Sequence, residues 1–127
     1  MSAPHAAGVL LVARDTGRIL LVRRAPHLSH PLSWTVPGGR LDRGESARAA
    51  AARELAEEAG IVLPVARLRP LVEAKRRADG HRFALFAAEV PREVPARLDR
   101  ESAEARWASL RALPRPLHPG LAAVLGR

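Results

Sequence analysis

The chain has no cysteine. Neither a disulfide scaffold nor a thiolate metal site is therefore available to it, and its redox compartment stays open. Tyrosine and asparagine are also absent, and the aromatic residues are only Trp34, Phe83, Phe86 and Trp107. That scarcity argues against a surface built of stacking platforms for bases. No apolar stretch approaches the roughly 20 residues that span a bilayer. The start, MSAPHAAGVLLVARD, has no basic segment before its apolar run, so it reads as a strand and not as a signal peptide. A cytoplasmic protein with no membrane partner is the expectation. Lysine is nearly missing too: Lys75 is the only one, and arginine carries almost all of the net charge of +8. Such a field draws polyanions, although a GC-rich coding bias toward Ala, Arg, Pro and Gly explains the composition equally well.

What is present bounds the chain further. At 127 residues, 47% of them hydrophobic, it is long enough for one domain, 1–127, with a core of its own, and too apolar for a disordered segment. The chain is organised around residues 39–61, GRLDRGESARAAAARELAEEAGI. Ser46 suits a helix N-cap. The run 47–59 holds seven alanines with arginine, leucine and glutamate, all good helix formers. Gly60 fits the left-handed residue that ends a helix. At about 100° per residue, Glu54, Glu57 and Glu58 fall within one narrow arc of that helix. Like charges at i, i+3 and i+4 repel, and a divalent cation removes the repulsion. Hard oxygen ligands suit Mg²⁺, with Mn²⁺ as the alternative. Ala47, Ala50 and Ala51 lie on the same side and leave room beside the acids. Leu55, Ala52, Ala56 and Ala59 point away and can pack on a core, and Arg53 can pair with Glu57 across one turn.

Gly39, Glu45, Arg53, Glu54, Leu55, Glu57, Glu58, Gly60 and Ile61 match every defined position of G-x5-E-x7-R-E-U-x-E-E-x-G-U, where U is a bulky aliphatic residue. By this stretch the chain is identified as a member of the Nudix hydrolases. The resemblance implies an α/β (α+β) fold, an α/β/α sandwich with a mixed, partly closed sheet. The acidic helix would lie on one side and a C-terminal helix on the other. It implies Mg²⁺ held by Glu54, Glu57, Glu58 and the Gly39 carbonyl, with Glu45, Arg53 and Gly60 structural.

The remaining segments fit that layout. Ala6–Ala13 and Arg18–Val22 read as a hairpin about Asp15-Thr16-Gly17, with the first strand buried on both faces. Arg23 and Arg24 close the second strand. Arg23-Arg24-Ala25 resembles the nucleotide-holding Arg-Arg-Ala of the mutator-type Nudix enzymes, and solvated strand-end arginines are the alternative. Residues 26–38 contain Pro26, Pro31 and Pro37 and read as a loop. His27 and His30 in it read as solvent-exposed. Trp34 precedes Pro37-Gly38-Gly39, whose neighbourhood lines the nucleotide pocket in this family. It reads either as a base-stacking face or as a tryptophan at the edge of the core. Gly38 and Gly39 let backbone approach a ligand closely. Val65–Lys75 and Arg82–Val90 read as strands joined through Asp79-Gly80, a hairpin signal, and Pro70 marks the first as an edge or bulged strand. A proline-broken loop spans 91–100. Glu101 and Glu104 then stand before Trp107, where several Nudix enzymes place a metal-binding or basic glutamate. A small helix over Leu121–Leu125 ends the chain.

The resemblance implies hydrolysis of a diphosphate bond in a nucleoside diphosphate linked to another group, by a monomer or homodimer. Glu54 is the first candidate for the base, with Glu101 and Glu104 behind it. A nucleoside triphosphate, cleaved to monophosphate and pyrophosphate, is the favoured substrate. Against the oxidised-guanine enzymes, Val36 replaces their phenylalanine and no asparagine is present to read such a base. The ADP-ribose branch carries a proline near the place of Arg76, the dinucleoside polyphosphate branch a downstream tyrosine, and the coenzyme A motif is missing. ADP-ribose or another nucleotide sugar, an RNA 5′ end, and a nucleotide-sensing module without activity are the alternatives. Nucleic acid is the less favoured partner.

Overall fold

A computed structural model describes residues 3–126. In chain order it runs β1 (Ala6–Ala13), β2 (Ile19–Arg24), β3 (Trp34–Thr35), β4 (Gly38–Arg40), α1 (Ala47–Ala59), β5 (Arg69–Lys75), β6 (Arg82–Val90), β7 (Ser102–Ala108) and α2 (Pro119–Leu125). The strands form one seven-stranded mixed sheet, in which β1 and β6 are parallel along their whole overlap and the other pairs are antiparallel. The sheet does not close.

Its centre is a fork. β1 and β2 meet at their hairpin end, where Val12 faces Ile19, and then part. The segment 34–40 fills the gap: β3 pairs with β2 at Val22 and Arg23, and β4 pairs with β1 from Ala6 to Gly8. Beyond the fork, β6 and β5 extend the β1 side and β7 extends the β2 side. The residues just before the acidic helix are therefore woven into the middle of the sheet.

Two cores follow from the alternation of side chains along β1 and β2. Val9, Leu11 and Leu20 pack with Phe86 against Leu55 and the alanines of α1. On the opposite face Ile19, Leu21, Trp34, Val36 and Leu85 pack under Leu121 of α2. Sheet between two helical layers is the sandwich expected from the sequence. Ala50 and Ala51 are fully buried in the first core, and Ala47 packs at its rim. The expectation that these three leave room for substrate is corrected: their small side chains let α1 sit close on β1.

Local chemistry sets the ends of the elements. Ser46 caps α1, its Oγ accepting from Ala49 N at 3.1 Å, and Gly60 ends the helix at φ 69°. Residues 65–67 form a 3₁₀ turn after Pro64, so the strand expected from Val65 begins only at Arg69. As Pro70 indicated, β5 is an edge strand whose register shifts between Pro70 and Val72. The C-terminal helix begins two residues before the expected Leu121, with His118 as its N-cap.

Candidate active site

The acids of α1 are organised by Arg53. Its Nε and Nη2 donate to the two Glu45 oxygens at 2.8 and 2.9 Å, and its Nη1 donates to Glu54 at 2.8 Å and to Glu57 at 3.2 Å. Nη2 also donates to the Arg40 carbonyl at 3.0 Å. One guanidinium thus ties β4, the loop before the helix and the helix itself. A planar fork with five donors makes this possible, and lysine could not replace it. The carboxylates hold the Arg53 pKa above its ordinary value, the bond to Glu45 most of all, while that bond lowers the pKa of Glu45.

Gly39 lies directly against Glu54. A Cβ on Gly39 would fall 2.6 Å from the Glu54 carboxyl carbon, so a side chain there would push the carboxylate from its place. A Cβ on Gly38 would fall 2.6 Å from the Ala7 carbonyl. The close approach expected of Gly38 toward a ligand is in that direction an approach to β1. The Gly38 N–H donates to Glu58 at 3.4 Å.

Glu58 is the buried acid, 7% exposed. Burial pushes its carboxyl up to about 9, and a hydrogen bond and charge repulsion from Glu54 add to the push, with Asp99 contributing at longer range. The Gly38 N–H opposes the shift. Burial in this place and the neighbouring negative charge both disfavour the ionised form of Glu58. Among the described residues, no three carboxylate or imidazole groups already converge as a cation site, since Arg53 holds Glu54 and Glu57 toward itself. The donor set nonetheless fits a small hard cation: a divalent ion would supply the positive charge that favours the ionised Glu58 carboxylate.

Glu57 projects from the same helix into an open cleft of about 830 Å³, lined also by His27, Leu28, Asp99, Arg100 and Glu101. The cleft wall is built by the segment 97–101. Arg97 N donates to the Ala59 carbonyl at the end of α1 at 2.7 Å, and Ala25 N donates to the Glu101 carbonyl at 3.0 Å. Between these anchors the Asp99 carboxylate accepts from Glu101 N at 3.0 Å.

The structure brings some of the expected residues together and separates others. Gly39, Glu45, Arg53, Glu54, Glu57 and Glu58 are contiguous, and Glu101 faces Glu57 across the cleft. Glu104, the third candidate for the base, does not line the cleft. It lies inside β7, opposite Arg23, and its oxygens pair with Arg23 at 3.8 Å and Arg106 at 3.5 Å. Arg23 and Arg24, expected to hold the nucleotide, make contacts within the fold. Arg23 Nε donates to the Leu32 carbonyl at 3.1 Å, and Arg24 donates to the Ser29 carbonyl at 2.7 Å and to Ser29 Oγ at 3.0 Å. Both brace the loop between β2 and β3. Trp34 is 2% exposed, with the guanidinium groups of Arg23 and Arg106 lying 5.7 and 4.8 Å from its ring centroid. A base cannot stack on a face covered in this way, so the edge-of-core alternative holds. His27 is exposed, as expected, at the edge of this cleft, whereas Asp99 and Arg100 were not singled out by the sequence. The charged run Asp99-Arg100-Glu101 was the only signal for the last two.

A split mixed sheet between two helices, with a glutamate-rich helix tied by one arginine to the strand before it, defines the Nudix class of domains. The family model described as NUDIX domain matches residues 3–126, and the chain belongs to this family. It is 36% identical over 126 residues to a protein named putative 8-oxo-dGTP diphosphatase 3 from Mycobacterium tuberculosis, covering 93% of this chain and 58% of that protein. It is 39% identical over 103 residues to part of an octanoyltransferase from Myxococcus xanthus, covering 71% of this chain and 26% of that protein. The chain thus spans well under two thirds of the length of these curated relatives. Among solved structures, a MutT NUDIX hydrolase from Burkholderia pseudomallei superposes with a TM-score of 0.78 at 28% identity, covering 98% of both chains. The Nudix hydrolase RenU from M. smegmatis superposes at 0.72 with 30% identity, over 97% of this chain and 81% of that one.

Proposed function

We propose that this domain hydrolyses a diphosphate bond in a nucleoside diphosphate linked to a further group, with a nucleoside triphosphate as the favoured substrate. The observation that carries the reading is the juxtaposition of Gly39 with the Glu54–Glu58 pair, a site of hard oxygen donors opening beside Glu57 into a cleft. Glu54, Glu57, Glu58 and the Gly39 carbonyl would hold Mg²⁺. Bound there, the ion neutralises phosphate charge and lowers the pKa of water. The chain's own part is to hold these oxygens in place and to accept a proton from the attacking water. Glu54 sits at the ligand cluster and Glu101 across the cleft, so these two are the candidates for the base. Positive charge held there would favour the charge that develops as the bridging oxygen leaves.

The similarity to a putative 8-oxo-dGTP diphosphatase over 93% of the chain supports a nucleoside triphosphate. A match of 47% over 55 residues to an RNA pyrophosphohydrolase from Sphingopyxis alaskensis, covering 43% of this chain and 33% of that protein, keeps the 5′ end of RNA as the second reading. The test is a panel of nucleoside triphosphates, nucleotide sugars and 5′-triphosphorylated RNA with Mg²⁺, scored for phosphate and pyrophosphate release beside a chelator control. Glu57→Gln and Glu58→Gln are expected to lower turnover by about two orders of magnitude or more while leaving the fold intact. Full turnover in either variant removes the mechanism.

A further inference from the structure

We propose that Arg100 is a phosphate-binding residue of the cleft, taking the part of the substrate's phosphate chain that lies beyond Glu57. The inference rests on the diphosphate-hydrolase reading above.

The charge of the cleft favours such a group. Glu57, Asp99 and Glu101 line it, and with an ion at Glu57 the other two carboxylates still repel a polyanion unless positive charge stands beside them. Arg23 and Arg24, the arginines suggested by sequence, are engaged with the 26–33 loop. Arg100 is the one arginine lining this cleft. Among the described residues its guanidinium has no hydrogen-bond or ion-pair partner. Its donors are therefore available for a bidentate bond to phosphate, the geometry that a guanidinium fork matches best.

Its placement is also built. Arg97 is fastened to the Ala59 carbonyl, and Glu101 to Ala25 N. The bond from Glu101 N to the Asp99 carboxylate turns the backbone at the residue between them. Arg100 is thus held between two anchors, one of them on the end of the helix that carries Glu57. A free arginine on an untethered loop would lose more side-chain and backbone entropy on binding.

The experiment compares wild type with Arg100→Ala, Arg100→Lys and Arg111→Ala. Arg111 is an exposed arginine in the turn after β7 and serves as a control for net charge. Two quantities are read: KM and kcat for the best nucleotide of the panel, and the affinity for inorganic pyrophosphate with Mg²⁺ by calorimetry. Arg100→Ala is expected to raise KM and weaken pyrophosphate binding by about ten- to a hundredfold, the worth of a hydrogen bond to a charged group. Arg100→Lys should recover part of the loss, and Arg111→Ala should stay near wild type. Arg100→Ala with wild-type KM and pyrophosphate affinity overturns the proposal, as does an equal loss in Arg111→Ala, which would leave only the overall charge at work. If wild type cleaves no nucleotide while pyrophosphate binding still falls in Arg100→Ala, the hydrolase reading fails and the phosphate site stands.

Discussion

At the scale of single residues, the site depends on two places where a side chain would displace a neighbour. Gly39 leaves the volume that the Glu54 carboxylate occupies, and Gly60 leaves room for Arg97, whose Cβ would lie 2.8 Å from one added there. Gly60 also holds φ 69°, which costs an L-residue about 1–2 kcal/mol. Gly60→Ala is therefore expected to destabilise the fold by at least about 1 kcal/mol and to lift the 97–101 segment away from the helix end. It should raise KM more than a change of equal stability cost elsewhere. Urea melts and steady-state kinetics check this, and a variant with wild-type KM would show that the segment is not fastened there. Arg53, Glu54, Glu57 and Glu58 were legible because their spacing on one helix already places them together. Arg23, Arg24, Trp34 and Glu104 were not, because their partners come from a loop and a strand distant in sequence. Cross-strand pairing of Arg23 with Glu104, and the arginines flanking Trp34, appear only when β7 joins β2.

At the scale of elements, α1 was readable to the residue: Ser46, the alanine-rich run and Gly60 are all local signals. β1, β6 and the edge character of β5 were equally local, through apolar runs and Pro70. The fork was hidden, since no periodicity marks two- and three-residue strands such as β3 and β4. It is the fork that brings Gly39 to Glu54. The short α2 is secured at its start by His118, whose Nδ1 accepts from Gly120 N at 3.0 Å while its ring meets His30 edge-on at 4.7 Å. Burial, then the charges of His30 and Arg24, lower the His118 pKa to about 4 from an ordinary 6.5. The folded state keeps this imidazole neutral where the unfolded chain would protonate it. Its contribution to stability is therefore complete above about pH 6.5 and lost as pH falls toward 4. His118→Asn keeps a capping acceptor without a titrating group. The difference in unfolding free energy between wild type and this variant should narrow or reverse from pH 7.5 to pH 4.5. A difference constant over that range would mean that His118 does not titrate in this window.

At the scale of the whole molecule, two features pull against each other. The net charge of +8 favours approach of a phosphate chain, while α1 keeps its acids close and, at Glu58, buried. The cost of that arrangement depends on pH. Glu58 is raised to about 9 in the fold from an ordinary 4.5, so between these values the folded state holds a proton that the unfolded state has released. Stability then falls as pH rises through this window, because the folded state binds more protons than the unfolded one. A divalent cation at Glu54, Glu57 and Glu58 needs these carboxylates ionised, so its binding releases the proton and removes the cost. The stabilisation by Mg²⁺ is accordingly expected to grow from pH 6 to pH 9. Glu58→Gln replaces the titrating group with a neutral one that still bonds to its neighbours. Its melting temperature in chelator should depend less on pH than that of wild type, and its gain from Mg²⁺ should be smaller and nearly flat. Thermal melts of both proteins at pH 6, 7.5 and 9, with chelator and with Mg²⁺, decide the matter. If Glu58→Gln follows wild type in both conditions, the Glu58 proton is not what the metal replaces, and the link between burial of this acid and metal binding fails.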